Sequence, residues 1–448
     1  MRVKVRVWSR VGTLAAGLVL LASCQERTTP VEPLEGGDGA LAFERGAAAF
    51  DLDFTPLPAS AACVAGGTIE QVLLPDGFAA TLLAAEPDFA DLPDMNTVNE
   101  TGPQPGRFLY RAHEVGSNGS VSVTDLETGA TSLVAQRADW ERLDGIVWTP
   151  WGTILTAEEA VVAGIDDPEV PGALGGFVYE IDPATGSAQV RPAVGSRSHE
   201  GLRFDGRGNL YGISENSPGY IYRFVPRHRR DLSAGTLFAL RIVEDLGDRT
   251  GWAVWEPLDG DQVKLDSDAA AAAVGATGYG RPEDVETSTS TGDDRRGGRM
   301  LYVAVTSEHR VLAIDLRAGT GARAGQVLVT DYVRQNANAP AGFSSPDNLA
   351  LDRNGNLFIA EDPGGTAPNK TQGDDVWVSR LNPANAAQGL TAERFLTITD
   401  CNAEPTGIYF SRSGRSLLVN VQHRGGDGAD GGYAIQRMAD VDFRVAGR

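Results

Sequence analysis

The stretch RPEDVETSTSTGDDRRGGRMLYVA, Arg281 to Ala304, strings together an acid, a short strand, a Gly/Asp-rich turn and a second strand. The same unit returns as PDMNTVNETGPQPGRFLYRAHE from Pro93, LDGIVWTPWGTILTAEE from Leu143 and HEGLRFDGRGNLYGISE from His199. It returns again as PDNLALDRNGNLFIAED from Pro346 and EPTGIYFSRSGRSLLVNVQH from Glu404. One such hairpin cannot bury its apolar faces alone, so a series of them predicts an all-β fold, a six-bladed β-propeller with loop and short helical insertions.

The register of the repeat carries the functional expectation. In a propeller blade the first strand lines the central channel and the second runs antiparallel beside it, so a hairpin starts and finishes at the same end of the sheet. Asp94, Asp144, Glu200, Glu283, Asp347 and Glu404 hold the leading position. Glu114, Glu158 or Glu159, Glu215, Glu308 and Glu361 trail the same hairpins, and Gln422 with His423 takes that place in the last. A closed ring would gather these carboxylates around one mouth. Like charges at short range repel unless cations hold them, and an all-oxygen donor set suits hard ions such as Ca2+. The expectation is a mouth that binds several metal ions; the alternative is a solvated acidic rim, because acids at strand ends are ordinary turn chemistry.

Further strands follow outward from the hairpins. GFVYEIDPATGSAQV from Gly176, GYIYRFVP from Gly219, HRVLAIDLRAG from His309 and DVWVSRLNP from Asp375 alternate apolar and polar residues and end in turns. Asp266-Ser267-Asp268 before five alanines predicts an N-capped short helix just ahead of Arg281. The 54 glycines fit a fold that turns every few residues.

The first residues read as a targeting signal. Arg2, Lys4, Arg6 and Arg10 precede an apolar run from Val11 to Leu21 that is too short to span a bilayer. The run ends in Leu21-Ala22-Ser23-Cys24, which resembles a bacterial lipobox, so residues 1–23 are expected to be a lipoprotein signal peptide and Cys24 the lipidated residue. No arginine pair is present, which favours general secretion over twin-arginine export. Residues 24–65 read as a tether and N-terminal extension, with Phe43, Phe50 and Phe54 available to pack on the body, and residues 66–448 as the propeller. The expected location is the bacterial cell envelope, with the lipid anchor as the only membrane contact and a monomer as the assembly.

Charge and cysteine usage narrow the partners. The full chain carries a formal charge of −21, and loss of the four cations of residues 1–23 brings it to −25, so nucleic acid is excluded as a partner and a cation-binding body favoured. Apart from Cys24, the chain holds only Cys63 and Cys401, one near each end of the repeat array, and these read as a disulfide joining the ends of the ring. There is no C-x-x-C spacing for structural zinc, no G-x-S-x-G, no HExxH and no P-loop. DRNGN at Asp352 is a turn, since Pro363 stands where an EF-hand needs its twelfth ligand. His113 and His199 each precede a candidate acid, and alternation along a strand sends them to the opposite face.

AAAAVGATGYGRPEDVE, PWGTILTAEE, SHEG, SPDNLALDRNGNLFIAED and PTGIYFSRSGRSLLVNVQH, in that family's order, resemble the PhoX family of bacterial alkaline phosphatases over roughly Arg107 to Arg424. The resemblance implies a propeller that hydrolyses phosphomonoesters with a cluster of Ca2+ and ferric iron. It places metal ligands at Glu114, Glu158, Glu200, Glu283 and Asp347 and a phosphate-contacting arginine at Arg281; the repeat register adds Asp144, Glu215, Glu361 and Glu404. Two positions depart from the family's pattern. Ala157 stands where the family has an iron-ligating cysteine, and Ala112 replaces an asparagine. The missing thiolate shifts the expectation from Fe3+ towards several Ca2+ ions.

The expected activity is therefore metal-assisted hydrolysis of a small phosphoester, with water as nucleophile and Arg281 gripping the phosphate through its planar fork. A lactonase-type calcium propeller and a non-catalytic calcium-binding surface propeller are the alternatives.

Overall fold

Leu301, Val303 and Val305 alternate with Met300, Tyr302 and Ala304 along one strand, and both rows are buried, each in a different apolar cluster. A sheet wet on one face would show only one such row; two rows mean a sheet packed between two others, and this computed structural model is built that way throughout. The structure describes residues 41, 44, 47–66, 72–159, 167–173, 175–288, 298–366, 368–423 and 430–438. Cys24 and the signal-like segment lie outside the described residues, as does Phe43.

The architecture is all-β and propeller-like, with two short α-helices among the described residues. Pro93–Val98, Phe108–His113, Ser120–Asp125 and Thr131–Gln136 form one four-stranded sheet, and Leu143–Trp148, Ile154–Glu158, Val178–Ile181 and Ala188–Val190 a second. Glu404–Phe410, Ser416–Gln422 and Gly431–Arg437 form a third with Phe78–Ala85 on its outer edge. A five-stranded sheet runs from Pro346–Leu351 through Leu357–Glu361, Asp375–Ser379 and Ala392–Ile398 to Val72–Leu73. The remaining sheet has nine strands, beginning at Leu202–Phe204 and ending at Pro282–Thr287.

The leading strands are laced side to side by bonds between sheets. Trp148 N donates to Thr97 Oγ1 (3.0 Å), His199 N to the Glu158 carbonyl (3.0 Å) and Gly201 N to the Glu283 carbonyl (3.1 Å). Leu349 N donates to Asp284 Oδ2 (2.8 Å), Gly407 N to Asn348 Oδ1 (2.5 Å) and Thr406 Oγ1 to the Pro93 carbonyl (3.0 Å), which returns to the first sheet. Approach is so close at Gly145 and Gly201 that a Cβ would collide with the Glu200 carbonyl and the Asp284 carboxylate.

Two devices join the ends of the chain. Phe78–Ala85 pairs antiparallel with Gly431–Arg437, so an early strand completes the sheet of the last hairpin. Cys63 and Cys401 form a disulfide across 338 residues. The N-terminal extension packs in between. Phe50 and Phe54 enter an aromatic cluster with Phe78, Phe358, Phe395 and Phe410, with edge-to-face contacts of 5.0–6.0 Å among them.

The helix expected before Arg281 spans Ser267–Ala273, with Asp266 as N-cap accepting from Ala269 N. A feature the sequence reading passed over is the long ribbon of Asp231–Gly247 and Thr250–Pro257, whose two-residue tip, Asp248-Arg249, holds φ values of 54° and 58°. It carries the left-handed turn of a tight hairpin without the Asn-Gly or Asp-Gly that would announce one.

Candidate metal centre

Four of the leading acids are aimed by a shared backbone device. In four hairpins a residue two before the acid is left-handed: Leu92 (φ 52°), Arg142 (43°), Arg281 (51°) and Ser345 (41°). A β-bulge follows at once, between Pro93 and Asn96, Leu143 and Ile146, Pro282 and Val285, and Pro346 and Leu349. A bulge adds one residue to one strand and turns its side chain out of the regular alternation. The residues so turned are Asp94, Asp144, Glu283 and Asp347.

The trailing acids are fixed by one recurring bond. The first residue past the second strand, or the second in the case of Glu215, returns its N–H to the turn that opened the hairpin: Glu114 to the Leu92 carbonyl (2.9 Å), Glu159 to Arg142 (2.9 Å), Glu215 to Ser198 (3.1 Å), Thr306 to Arg281 (2.9 Å) and Asp362 to Ser345 (3.0 Å).

Two acid triads result. Carboxylate oxygens of Asp144, Glu159 and Glu200 lie within 4.8 Å of one another, and so do those of Glu200, Glu283 and Asp347, with Glu200 common to both. Asp144 Oδ1 and Glu159 Oε2 are buried and accept no hydrogen bond, as expected of oxygens that face a cation. Every donor is a carboxylate, the set that suits a hard divalent ion. Both triads fit a metal.

Around them stand the other acids. Gln422 Nε2 donates to Glu114 Oε2 (3.0 Å), and His423 Nε2 lies 3.3 Å from Glu404 Oε1. Burial and mutual repulsion hold Asp94, Asp144, Glu200, Glu283, Asp347 and Glu404 well above the usual carboxylate range. Burial, with the charge of Glu114 beside Glu159 and that of Glu159 beside Glu215, raises Glu159 and Glu215 to about 7 each. Beside Asp362, Glu404 and His423 a cleft of about 410 Å³ also takes in Lys370 and Asn402.

Arg281 is embedded in this group. Its Nη2 lies 2.6 Å from Glu215 Oε1 and 3.0 Å from Glu283 Oε1, and its side chain remains 41% exposed.

Of the acids expected from sequence, the structure brings together Asp94, Glu114, Asp144, Glu200, Glu215, Glu283, Asp347 and Glu404. It does not bring Glu158 or Glu361 to them. Glu158 is the last residue of its strand and points inward, where its carboxylate accepts from Glu141 N (3.2 Å) and Phe177 N (3.0 Å) and burial lifts its pKa to about 8. Glu361 likewise turns away to accept from Ser344 N (2.5 Å). The residues that reach the group are the next ones, Glu159 and Asp362; the repeat leaves Glu158 and Glu159 as alternatives and does not single out Asp362. The signal was available, because neighbours on a strand point to opposite faces, the rule that already separated His113 from Glu114. Both histidines are turned away: His113 Nε2 bonds Ser122 Oγ (2.8 Å) and His199 Nε2 the Gly195 carbonyl (3.0 Å). Ala157 is fully buried in an apolar cluster with Leu155, Val178 and Leu202. Glu308 trails the Arg281 hairpin but pairs with Arg249 and Arg310 behind the turn.

A family profile described as "Alkaline phosphatase PhoX" matches residues 148–333 and 318–425. Among solved structures, Pseudomonas fluorescens PhoX in complex with vanadate, a transition state analogue, is 19% identical, with 86% of this chain and 98% of that chain covered and a TM-score of 0.62, a likeness of fold. A gluconolactonase from Xanthomonas campestris is 13% identical over 87% of this chain and 98% of its own, with a TM-score of 0.44. No curated protein matches the sequence.

Proposed function

Because the chain belongs to the PhoX family of alkaline phosphatases, we propose that it hydrolyses phosphate monoesters at the two acid triads, with several Ca2+ ions as cofactor. The family is metal-dependent, and the observation that carries the reading is Glu200, one carboxylate shared by two groups of metal-competent oxygens. Calcium is favoured by the all-carboxylate donor set and by Ala157, which offers no thiolate for iron.

Bound cations would supply charge stabilisation at the phosphoryl oxygens and activation of water. The chain's own part is to hold and orient. Asp144, Glu159, Glu200, Glu283 and Asp347 fix the donor oxygens on bulged or strand-end backbone, so that little reorganisation is needed when a ligand arrives. Arg281 presents a half-exposed guanidinium whose donors now engage Glu215 and Glu283, and its planar fork matches two oxygens of a phosphate. The cleft beside Glu404 offers room for the leaving group.

The architecture behind the site is read as six blades. The nine-stranded sheet counts as two, Leu202–Phe204 to Asp231–Gly247 and Pro282–Thr287 to Val327–Arg334, joined at their outer edges by Thr250–Pro257. No helix among the described residues is long and apolar enough to cross a membrane. Export as a monomeric envelope lipoprotein anchored through Cys24 rests on the sequence signal alone.

The test is hydrolysis of an aryl phosphate by the chain beginning at Gln25, with added Ca2+ and after chelation. Activity that vanishes on chelation and returns with Ca2+ alone is the expected result, with at least a 100-fold loss in Arg281→Ala, on the order of removing one charged transition-state contact. A folded, Ca2+-binding protein with no hydrolysis would make it a binding propeller instead.

A further inference from the structure

Arg142 occupies in the second hairpin the station that Arg281 occupies in the fourth. Both are left-handed, at φ 43° and 51°, both stand two residues before a leading acid, and both give their carbonyl to the residue just past the second strand, Glu159 N at 2.9 Å and Thr306 N at 2.9 Å. The shared backbone aims both side chains from equivalent points of the ring. The other left-handed stations carry Leu92 and Ser345, so these two alone of the four bring a cation.

The two arginines flank the two triads. Arg281 pairs with Glu283 of the Glu200/Glu283/Asp347 group, and Arg142 pairs with Glu159 of the Asp144/Glu159/Glu200 group. Glu159 and Glu215 face each other between them, which makes a row of Arg142, Glu159, Glu215 and Arg281 across the mouth. Arg142 is the looser of the pair. Among the described residues its guanidinium makes one ion pair, at 3.4 Å, and its side chain is 49% exposed. A long exposed fork with most of its donors turned to solvent is suited to an anion that arrives from outside.

We propose that Arg142 is a second anion grip that binds the non-transferred anionic group of the substrate. The physiological substrates are then phosphate monoesters that carry a second negative group, a carboxylate or another phosphate, on the leaving side. The proposal rests on the phosphatase reading above and deepens it, since Arg281 would hold the transferred phosphate and Arg142 the remainder. The body of the protein is strongly acidic, at −21 for the full chain, and a twice-charged ester would be repelled from such a surface without a dedicated cation.

The experiment compares phenyl phosphate with 4-carboxyphenyl phosphate on the Ca2+-loaded full chain, and calorimetric binding of propylphosphonate with 3-phosphonopropionate, in wild type, Arg142→Ala and Arg142→Lys. The proposal expects wild type to favour the carboxyl-bearing member of each pair about tenfold, through KM for the esters, as one charge-assisted contact supplies. It expects Arg142→Ala to bring both ratios close to one and Arg142→Lys to recover part of the preference. Equal ratios in wild type and Arg142→Ala, or a uniform loss on both substrates with a lowered Tm, would overturn it and leave Arg142 as a partner of Glu159. Hydrolysis of neither ester by wild type would instead sink the phosphatase reading, and the second grip with it.

Discussion

The Gly280 amide donates to Glu308 Oε1 across 2.6 Å, and this bond pins the turn that presents Arg281. Glu308 is held in its turn by Arg249 Nη1 at 2.8 Å, from the tip of the long ribbon, and by Arg310 Nε at 2.9 Å. Arg310 is fully buried, so the network behind the turn is rigid where Arg281 itself is half open. The ribbon therefore braces the arginine. Glu308→Gln keeps one acceptor for Gly280 but loses the charge on two arginines; Glu308→Ala loses both. The expected outcome is a fall in kcat/KM of roughly 10-fold for the glutamine and 100-fold for the alanine variant, the scale of a 1 Å misplacement. Glu308→Ala should also cost about 3 kcal/mol of stability, since it strips a buried guanidinium of a partner. Ca2+ affinity within twofold of wild type would separate this positioning role from a ligand role.

Glu158 and Glu159 are adjacent and should behave oppositely. Glu159→Gln removes a charge from the Asp144/Glu159/Glu200 triad, so Ca2+ affinity should drop at least tenfold while Tm without metal holds or rises, because a raised carboxyl has been neutralised. Glu158→Gln sets an amide NH2 against one of two backbone N–H donors and should cost about 1–3 kcal/mol with little change in Ca2+ binding. Isothermal titration and thermal melts on the two variants check this, and an exchange of their phenotypes would refute the placement.

The contrast also marks how far the sequence could be read. The hairpins were legible because apolar runs end in Gly/Asp turns, and the leading acids Asp144, Glu200, Glu283 and Asp347 because each stands at the same offset from its strand. The trailing side slipped by one residue at Glu158 and Glu361, where two acids are adjacent and composition cannot choose between them. Only the face of the strand decides, and that depends on where the strand ends. The brace was not legible for a different reason. The turn at Asp248-Arg249 has two left-handed residues without glycine, and Glu308 looks like any other trailing acid until Arg249 is seen to reach it across 59 residues. Arg142 was hidden likewise, since its kinship with Arg281 is one of backbone conformation.

The disulfide closes a loop of 338 residues, far longer than most. Chain-entropy arguments give an upper figure of roughly 6 kcal/mol for a loop of this size. Cys63→Ser and Cys401→Ser, singly or together, should lower Tm by equal amounts, and a reductant should lower wild type to the same value. A smaller drop in the reduced wild type than in the variants would mean that the thiols keep a packing role without the bond. Phe78–Ala85 would still close the last sheet through its pairing with Gly431–Arg437, so folding should survive.

Stability without metal should fall as pH rises. A carboxyl whose folded pKa lies above its unfolded value keeps a proton that the unfolded chain has lost, so the folded state loses relative stability as pH climbs from the ordinary carboxylate range to the folded value. For Glu159 and Glu215 that window runs from 4.5 to about 7, and the more deeply buried acids of the triads extend it upward. Each tenfold difference in proton affinity is about 1.4 kcal/mol, so several groups together should lower the chelated protein's Tm by many degrees between pH 5 and pH 8. Added Ca2+ competes with the same protons. Its stabilising effect should therefore be small at pH 5 and grow steadily to pH 8, opposite in slope to the metal-free curve. Thermal melts at fixed ionic strength, with Ca2+ and with chelator, read both slopes. A metal-free Tm that is level or rising over this range would show that the acids are already ionised and solvated, which is the behaviour of a charged rim.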